Sequence, residues 1–425
     1  MFLQTIGILA EMSSRKYCIF AFTPVTVWSM YTSVSFSFGL LIFTTQNVHT
    51  VTAISLFNNI EYLQLILFLY SLTISITLIS EKILFFKKFK PPMSVNENQN
   101  LIVFMIIFII GYFLASIFTI DASILGGSGN LTPVIWSVAI VAIANAMVSS
   151  KLPIFFRLAI YSAIIYVYAQ YSYNSKRELL FLMIAVILIE LYSSKLRIGI
   201  ASYFYTICIL ILLIFLILVM SIARGYGDLS ENDFWQNAIK IFEYFSQDDF
   251  YINFSRNTEV FYTFFHSTNA AQMVLSNDEP ILYGLTLIKP LFIFFDREIF
   301  TWKPDSIIHI YTSAFNPNYR ALGGSYPINM LSEFLFNFFV FGIVLFYILL
   351  LTMSRLWINF VKNESGKRFI KRTFGFYLVI PFLGLIRGSG FDIFFVELIL
   401  ALLFLTAASF SYSIINSILK RAQGK

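Results

Sequence analysis

Charge is what this chain has least of: Asp, Glu, Lys and Arg together make up 12% of its 425 residues. Soluble domains carry roughly twice that share, so a soluble enzyme or a soluble multi-domain assembly is excluded. Cysteine is nearly absent too. Cys18 and Cys208 both fall in apolar runs, which rules out a disulfide framework and a cysteine metal site. The three histidines form no cluster with carboxylates at ligand spacing, so no metal and no cofactor is expected. No glycine-rich phosphate loop precedes a helix, and no Ser/His/Asp set stands at diagnostic spacing. No cleavable signal peptide is expected, because the first long apolar run follows Arg15–Lys16 and exceeds the length of such a core.

What is present is apolar length. Hydrophobic residues reach 58%, Phe alone supplies 49 positions, and the mean hydropathy is +0.78. Runs of about 20 apolar residues cross a hydrocarbon core of roughly 30 Å as helices. Ten such segments are expected, at 18–44, 62–80, 101–119, 131–149, 155–172, 179–193, 201–222, 328–353, 373–386 and 391–413. Backbone polar groups in lipid need internal partners, so the fold class is an all-α polytopic membrane protein. The ladder divides the chain into an N-terminal bundle over 1–222, a large polar loop over 223–327 and a C-terminal bundle over 328–425.

Orientation follows the positive-inside rule. With the N-terminus inside, 19 of the 29 Lys and Arg residues lie on inner termini and short inner loops, among them Arg15, Lys82, Arg157, Arg372 and Arg421. Both termini are then cytoplasmic and the 223–327 loop faces outward. The net charge of +6 is a topological signal, and no nucleic-acid partner is implied. Membrane lipids are the surroundings.

Three basic residues in short outer loops go against this rule: Lys176, Arg177 and Arg387. They face a common anion, or they pair with neighbours such as Glu178 and Asp392 or reach to the interface. The long loop carries seven basic residues against twelve acids, a net charge of −5, so it is no general cationic patch. Its single arginines include Arg256, Arg297 and Arg320, and a guanidinium fork suits a phosphate or diphosphate. Within the loop, 259–275 and 281–295 read as short interfacial or re-entrant helices, the second broken by Pro290, or as two additional spans.

Two residues offer basicity near this level. His266 lies in the first loop helix, as a hydrogen-bonded structural residue or as a base. Glu333 opens the eighth span with Asn337 on the same helix face; it is a functional acid at the boundary or a helix-start carboxylate favoured by the macrodipole. Glu190 and Glu397 read as ties between helices. The loop's aromatic residues suit stacking on sugar rings and also suit a membrane-interface belt.

Several short elements bear a resemblance. The run Tyr283 to Pro290 with its Lys289-Pro290, then Asp296-Arg297 and Trp302-Lys303-Pro304, is followed by Arg320 to Gly324, Glu333, Asn337 and Gly342. This pattern resembles the O-antigen repeat-unit polymerases of the Wzy type, and Ser175-Lys176-Arg177 is similar to that family's Ser-Arg element. The chain departs from it in having Asp296-Arg297 where Pro-Arg is commoner. The resemblance implies a GT-C-like glycosyltransferase of the bacterial inner membrane with a periplasmic loop. Its implied substrate is an undecaprenyl-diphosphate-linked oligosaccharide, and a chain-length regulator and a flippase of the same pathway are implied partners. It implies Arg177, Arg297, Arg320 and Arg387 as diphosphate ligands, with Lys303 and Arg256 in support, and Glu333 or His266 as base. An O-antigen ligase of the same superfamily and a repeat-unit flippase or other transporter are the alternative activities.

Overall fold

A computed structural model describes residues 2–15, 22–45, 60–85, 101–117, 132–171, 176–194, 259–292, 295, 300–362 and 369–422. All regular structure among these residues is helical. The longer N-terminal helices are α1 (Phe2–Ser14), α2 (Pro24–Thr45), α3 (Ile60–Phe85), α4 (Leu101–Ile117), α5 (Thr132–Ser149), α6 (Ile154–Tyr171) and α7 (Lys176–Ser194). After the polar stretch come α8 (Glu259–Leu275), the short α9 (Leu285–Ile288) running into a 3-10 turn at Lys289–Phe292, α10 (Ile307–Phe315) and α11 (Pro317–Ala321). The chain closes with α12 (Met330–Phe338), α13 (Phe341–Lys362), α14 (Phe369–Tyr377), α15 (Val379–Arg387) and α16 (Phe391–Ala422).

The protein is a helical membrane protein. Five stretches among the described residues are long and apolar enough to cross a bilayer: α3, α5, Phe341–Phe360 of α13, α14 with α15, and Phe391–Leu419 of α16. Shorter apolar helices occur at Leu101–Leu114, Ile154–Ile164 and Leu179–Tyr192, and the expected span at 201–222 lies outside the described residues. The helices pack by different means. The small residues of α5 (Ala139, Ala142, Ala144, Ala146) let neighbours approach closely, and this helix is buried almost throughout, against α4, α7, α14 and α16. On α3 and α16 large residues such as Phe68, Ile79, Leu403 and Phe410 face outward, as a surface in contact with acyl chains requires.

Two expected spans are corrected. The helix expected over 328–353 is broken: Phe339 takes a left-handed φ of 54° and caps α12, and α13 starts two residues later. α12 and α13 fold back on each other as a hairpin, with Phe334 against Phe346. The span expected from residue 18 begins at Pro24, preceded by a separate helix α1 that packs on α2. Over 281–295 the break expected at Pro290 is present: among the described residues α9 gives way at Lys289 to a 3-10 turn. At Leu378 the helix is interrupted where Pro381 cannot donate to the carbonyl four residues back.

One helix fixes the depth of the site. Glu81 of α3 accepts from Ser354 of α13 and from Arg15 just past α1 (2.8 Å), whereas Tyr70 of α3 bonds Ser332 of α12 (2.6 Å). Eleven residues separate Tyr70 from Glu81, about 16 Å at the α-helical rise. α12 therefore lies toward the opposite end of the bundle from the Arg15–Glu81 pair.

Candidate active site

The site is built on α12. Asn329 caps its start, accepting from Leu331 N–H (3.0 Å). The Asn329 side chain also accepts from Trp28 Nε1 (3.3 Å) and donates to Thr32 (3.3 Å), while its own N–H donates to Ser267 Oγ (2.7 Å). Ser332 donates to the Ser267 carbonyl (2.8 Å). The helix is pinned on α2, α3 and α8 before its functional face begins.

Glu333 is on that face, 1% exposed. Its Oε1 accepts from Thr286 Oγ1 of α9 (3.0 Å) and its Oε2 accepts from the N–H of Phe391 at the start of α16 (3.0 Å). Asn337, one turn on, donates to the Glu333 carbonyl (2.9 Å) and to Thr286 Oγ1 (2.7 Å), and its Oδ1 accepts from Thr286 N–H (3.4 Å). The shared helix face expected for Glu333 and Asn337 thus becomes a clamp on Thr286.

A second carboxylate stands beside it. Asp392, the next residue along α16, binds Lys289 Nζ through Oδ2 (2.5 Å) and accepts from Ser306 Oγ through Oδ1 (2.9 Å). The turn that presents it requires glycine twice. Gly388 and Gly390 have φ of 116° and 91°, and a Cβ on Gly388 would meet the Ile328 backbone at 2.5 Å. A Cβ on Gly390 would stand 2.8 Å from Asp392 Oδ1. The chain therefore places two carboxylates and one ammonium at the first turn of a long helix, whose dipole favours negative charge there.

The electrostatics differ between the two acids. Burial, and after it the charge of Asp392, pushes Glu333 from the ordinary 4.5 up to about 8, against the opposing pull of Thr286, Phe391 N–H and Lys289. His309, half-buried on α10, is held below its ordinary range by burial, then by Arg320 and Lys289, with Asp305 and Asp392 pulling the other way. Lys289 and Arg320 thus act on one imidazole. Their fields overlap on the side of the site that α10 and α11 form.

The remaining sequence candidates distribute unevenly. Arg320, in the last turn of α11, is partly exposed. Arg387 ends α15, four residues before Phe391 opens α16, and its carbonyl accepts from Thr263 Oγ1 (3.4 Å). Lys303 is 7% exposed and donates to the Phe295 carbonyl (3.1 Å). Arg177 occupies the first turn of α7; Arg256 and Arg297 lie outside the described residues. His266 does not join Glu333. Its Nδ1 pairs with Tyr311 OH (2.9 Å), its ring stacks on Tyr326 (4.1 Å between centroids), and Phe265 and Phe315 close the edges. Burial lowers its pKa to about 3, so the imidazole is neutral at physiological pH and weakly basic.

Lys289, Asp392, Thr286 and Ser306 complete the site without having been singled out. Signals existed for two of them: Lys289 heads the Lys-Pro pair, and Asp392 neighbours the anomalous Arg387. Chemically, the arrangement offers a buried carboxyl able to take a proton near neutral pH, a second carboxylate already neutralised, and cations for an anion. Compared with known proteins, the chain matches no family model, no curated sequence and no solved structure.

Proposed function

We propose that this protein is a GT-C-like glycosyltransferase of the bacterial inner membrane that joins lipid-linked repeat units into a surface polysaccharide. The growing glycan on undecaprenyl diphosphate is the donor, and the non-reducing end of a new lipid-linked repeat unit is the acceptor. About ten spans, cytoplasmic termini and an outward 223–327 loop set the reaction at the outer face. A flippase and a chain-length regulator of the same pathway are its partners.

The observation that supports this most is the Glu333 carboxyl, buried and, among the described residues, held by neutral donors alone, with Asp392 in the adjoining first turn of α16 and Lys289 paired to it from the end of α9. Glu333 takes the proton of the acceptor hydroxyl as the new C–O bond forms. The anomeric C–O bond to phosphate breaks, and the electron pair leaves with undecaprenyl diphosphate, whose charge Arg320, Arg387 and Arg177 stabilise. A base with a pKa close to the working pH is the efficient kind.

Deletion of the gene, with surface polysaccharide resolved on a gel, tests the reading. Lipid A core capped by a single repeat is the expected result. Core without any cap identifies a ligase, and repeat units retained at the cytoplasmic face identify a flippase; either outcome overturns the proposal.

A further inference from the structure

The Lys289–Asp392 pair is more accessible than the Arg15–Glu81 pair. The Lys289 side chain keeps 19% of its surface and Asp392 8%, whereas Arg15 and Glu81 keep 3% and 0%. Asp392 does not depend on Lys289 alone, because Ser306 Oγ donates to its other oxygen and it sits in the first turn of α16. Lys289 can leave without stranding a bare carboxylate.

The surroundings of Lys289 describe an amphiphile. Tyr283 (83%), Leu291 (73%) and Leu285 (48%) are exposed on the segment that carries the ammonium, and Trp302 (63%) packs beside it on Phe292. An apolar shelf thus adjoins a cation whose field on His309 overlaps that of Arg320. A ligand with a hydrocarbon chain and a multiply charged phosphate head satisfies both halves. A neutral lipid or a free sugar satisfies neither the cation nor its pairing.

We propose that Lys289 is a diphosphate-binding residue of this site and that Asp392 holds it in reserve: an arriving prenyl diphosphate takes the ammonium from Asp392, which stays capped by Ser306 and the α16 N-terminus. This rests on the reading of the Glu333 site as one that handles a lipid diphosphate. It adds a coupling, because occupation of the head-group site removes the countercharge nearest to the pair of acids. The base is then set beside a less compensated carboxylate only when donor is bound.

Competition for the ammonium gives opposite signs for its two partners, which a purely structural ion pair does not. The test is binding to the purified full chain in lipid nanodiscs, with farnesyl diphosphate, farnesyl monophosphate and inorganic pyrophosphate as probes. Lys289→Met is expected to weaken farnesyl diphosphate at least tenfold, and Lys289→Arg to stay within about threefold of the wild type. Asp392→Asn is expected to bind it severalfold tighter, since the ammonium is no longer held. Weaker binding by inorganic pyrophosphate than by farnesyl diphosphate assigns the shelf to the lipid chain; equal binding overturns that part. Lys289→Met with wild-type affinity, or Asp392→Asn with weakened affinity in folded protein, overturns the exchange. If Asp392→Asn does not fold, the Met and Arg variants at position 289 decide alone. A wild-type protein that binds none of the probes overturns the diphosphate reading of the whole site, a result distinct from failure of the Lys289 variants only.

Discussion

Among the described residues two glutamates are buried almost completely, Glu81 and Glu333, and they are treated in opposite ways. Glu81 is met by the Arg15 guanidinium at 2.8 Å and by the Ser354 hydroxyl, with Thr23 3.5 Å from the same arginine. Glu333, at the other end of the same packed unit, receives among the described residues only neutral donors, Thr286 and the N–H of Phe391. An ion pair sealed away from solvent fixes helices and gives nothing up. A buried carboxyl without a touching cation pays for its charge and so exchanges its proton easily. Arg157–Glu190 with Tyr161, and Arg372 with Asn145 and Ser149, belong with Glu81 as ties between helices. Chemistry is to be sought where the countercharge is missing.

The largest effect separates the two sites by stability. Truncating one member of a sealed pair leaves the other charged and buried, at a cost of about 3–5 kcal/mol. Arg15→Ala or Glu81→Ala is therefore expected to leave little folded protein in detergent, while the double replacement Arg15→Met with Glu81→Leu recovers most of the thermal stability. Glu333→Gln is expected to unfold within a few degrees of the wild type, because the amide still accepts from Phe391 and can donate to Thr286. Equal losses from Glu81→Ala and Glu333→Gln would erase the distinction.

Next comes the rate. Loss of a general base costs about 10²–10⁴-fold, so Glu333→Gln is expected to stop polymerisation in a purified assay with retained donor binding. The pH dependence carries the same signature. Glu333 is held above its ordinary 4.5, at about 8, so the base form grows as pH rises through that value and the rate with subsaturating donor should rise with it. Stability runs the other way. A raised carboxyl contributes fully below the ordinary value and loses that contribution as pH climbs through about 8. Thermal unfolding followed from pH 5 to pH 9 should show the decline in the wild type and a flatter profile in Glu333→Gln.

Local pattern carried some of this and long-range pairing the rest. The helices over 62–80, 101–119, 131–149 and 155–172 could be read because apolar runs of that length have one outcome in lipid. Glu333 with Asn337 was readable because residues four apart share a helix face. The break at Phe339 carried one sequence mark, Gly342, where a Cβ would run into the Phe334 carbonyl; a lone glycine in an apolar run does not by itself signal that α12 folds back on α13. Lys289 and Asp392 lie 103 residues apart in the chain, and Arg15, read only as a topological charge, finds Glu81 across 66 residues. Such partners emerge only when helices pack.

A smaller effect is expected from arginine to lysine changes. If Arg320 and Arg387 grip a diphosphate through paired N–H groups, Lys keeps the charge and loses the fork. Arg320→Lys and Arg387→Lys should each lower polymer output about tenfold at matched protein level, roughly 1.4 kcal/mol of lost contact. Output unchanged in both would move the diphosphate toward Lys289 and leave these arginines a topological or interfacial role.

The smallest catalytic effect is expected at His266, the other base considered. A base must reach the acceptor hydroxyl, and this imidazole is enclosed by Tyr311, Tyr326, Phe265 and Phe315. Burial keeps it neutral down to about pH 3, so over the working range its protonation does not change. Its Nδ1 contact and its stacking on Tyr326 make it a rivet between α8 and the segment around α10. His266→Gln is accordingly expected to lower the unfolding temperature by a few degrees through lost stacking, about 0.5–1.5 kcal/mol for an aromatic pair. The rate per folded molecule should stay within about threefold of the wild type, and the limb near pH 8 should not move. Loss of polymerisation in folded His266→Gln, together with normal polymerisation by Glu333→Gln, would transfer the base to His266 and reverse the assignment made from countercharge.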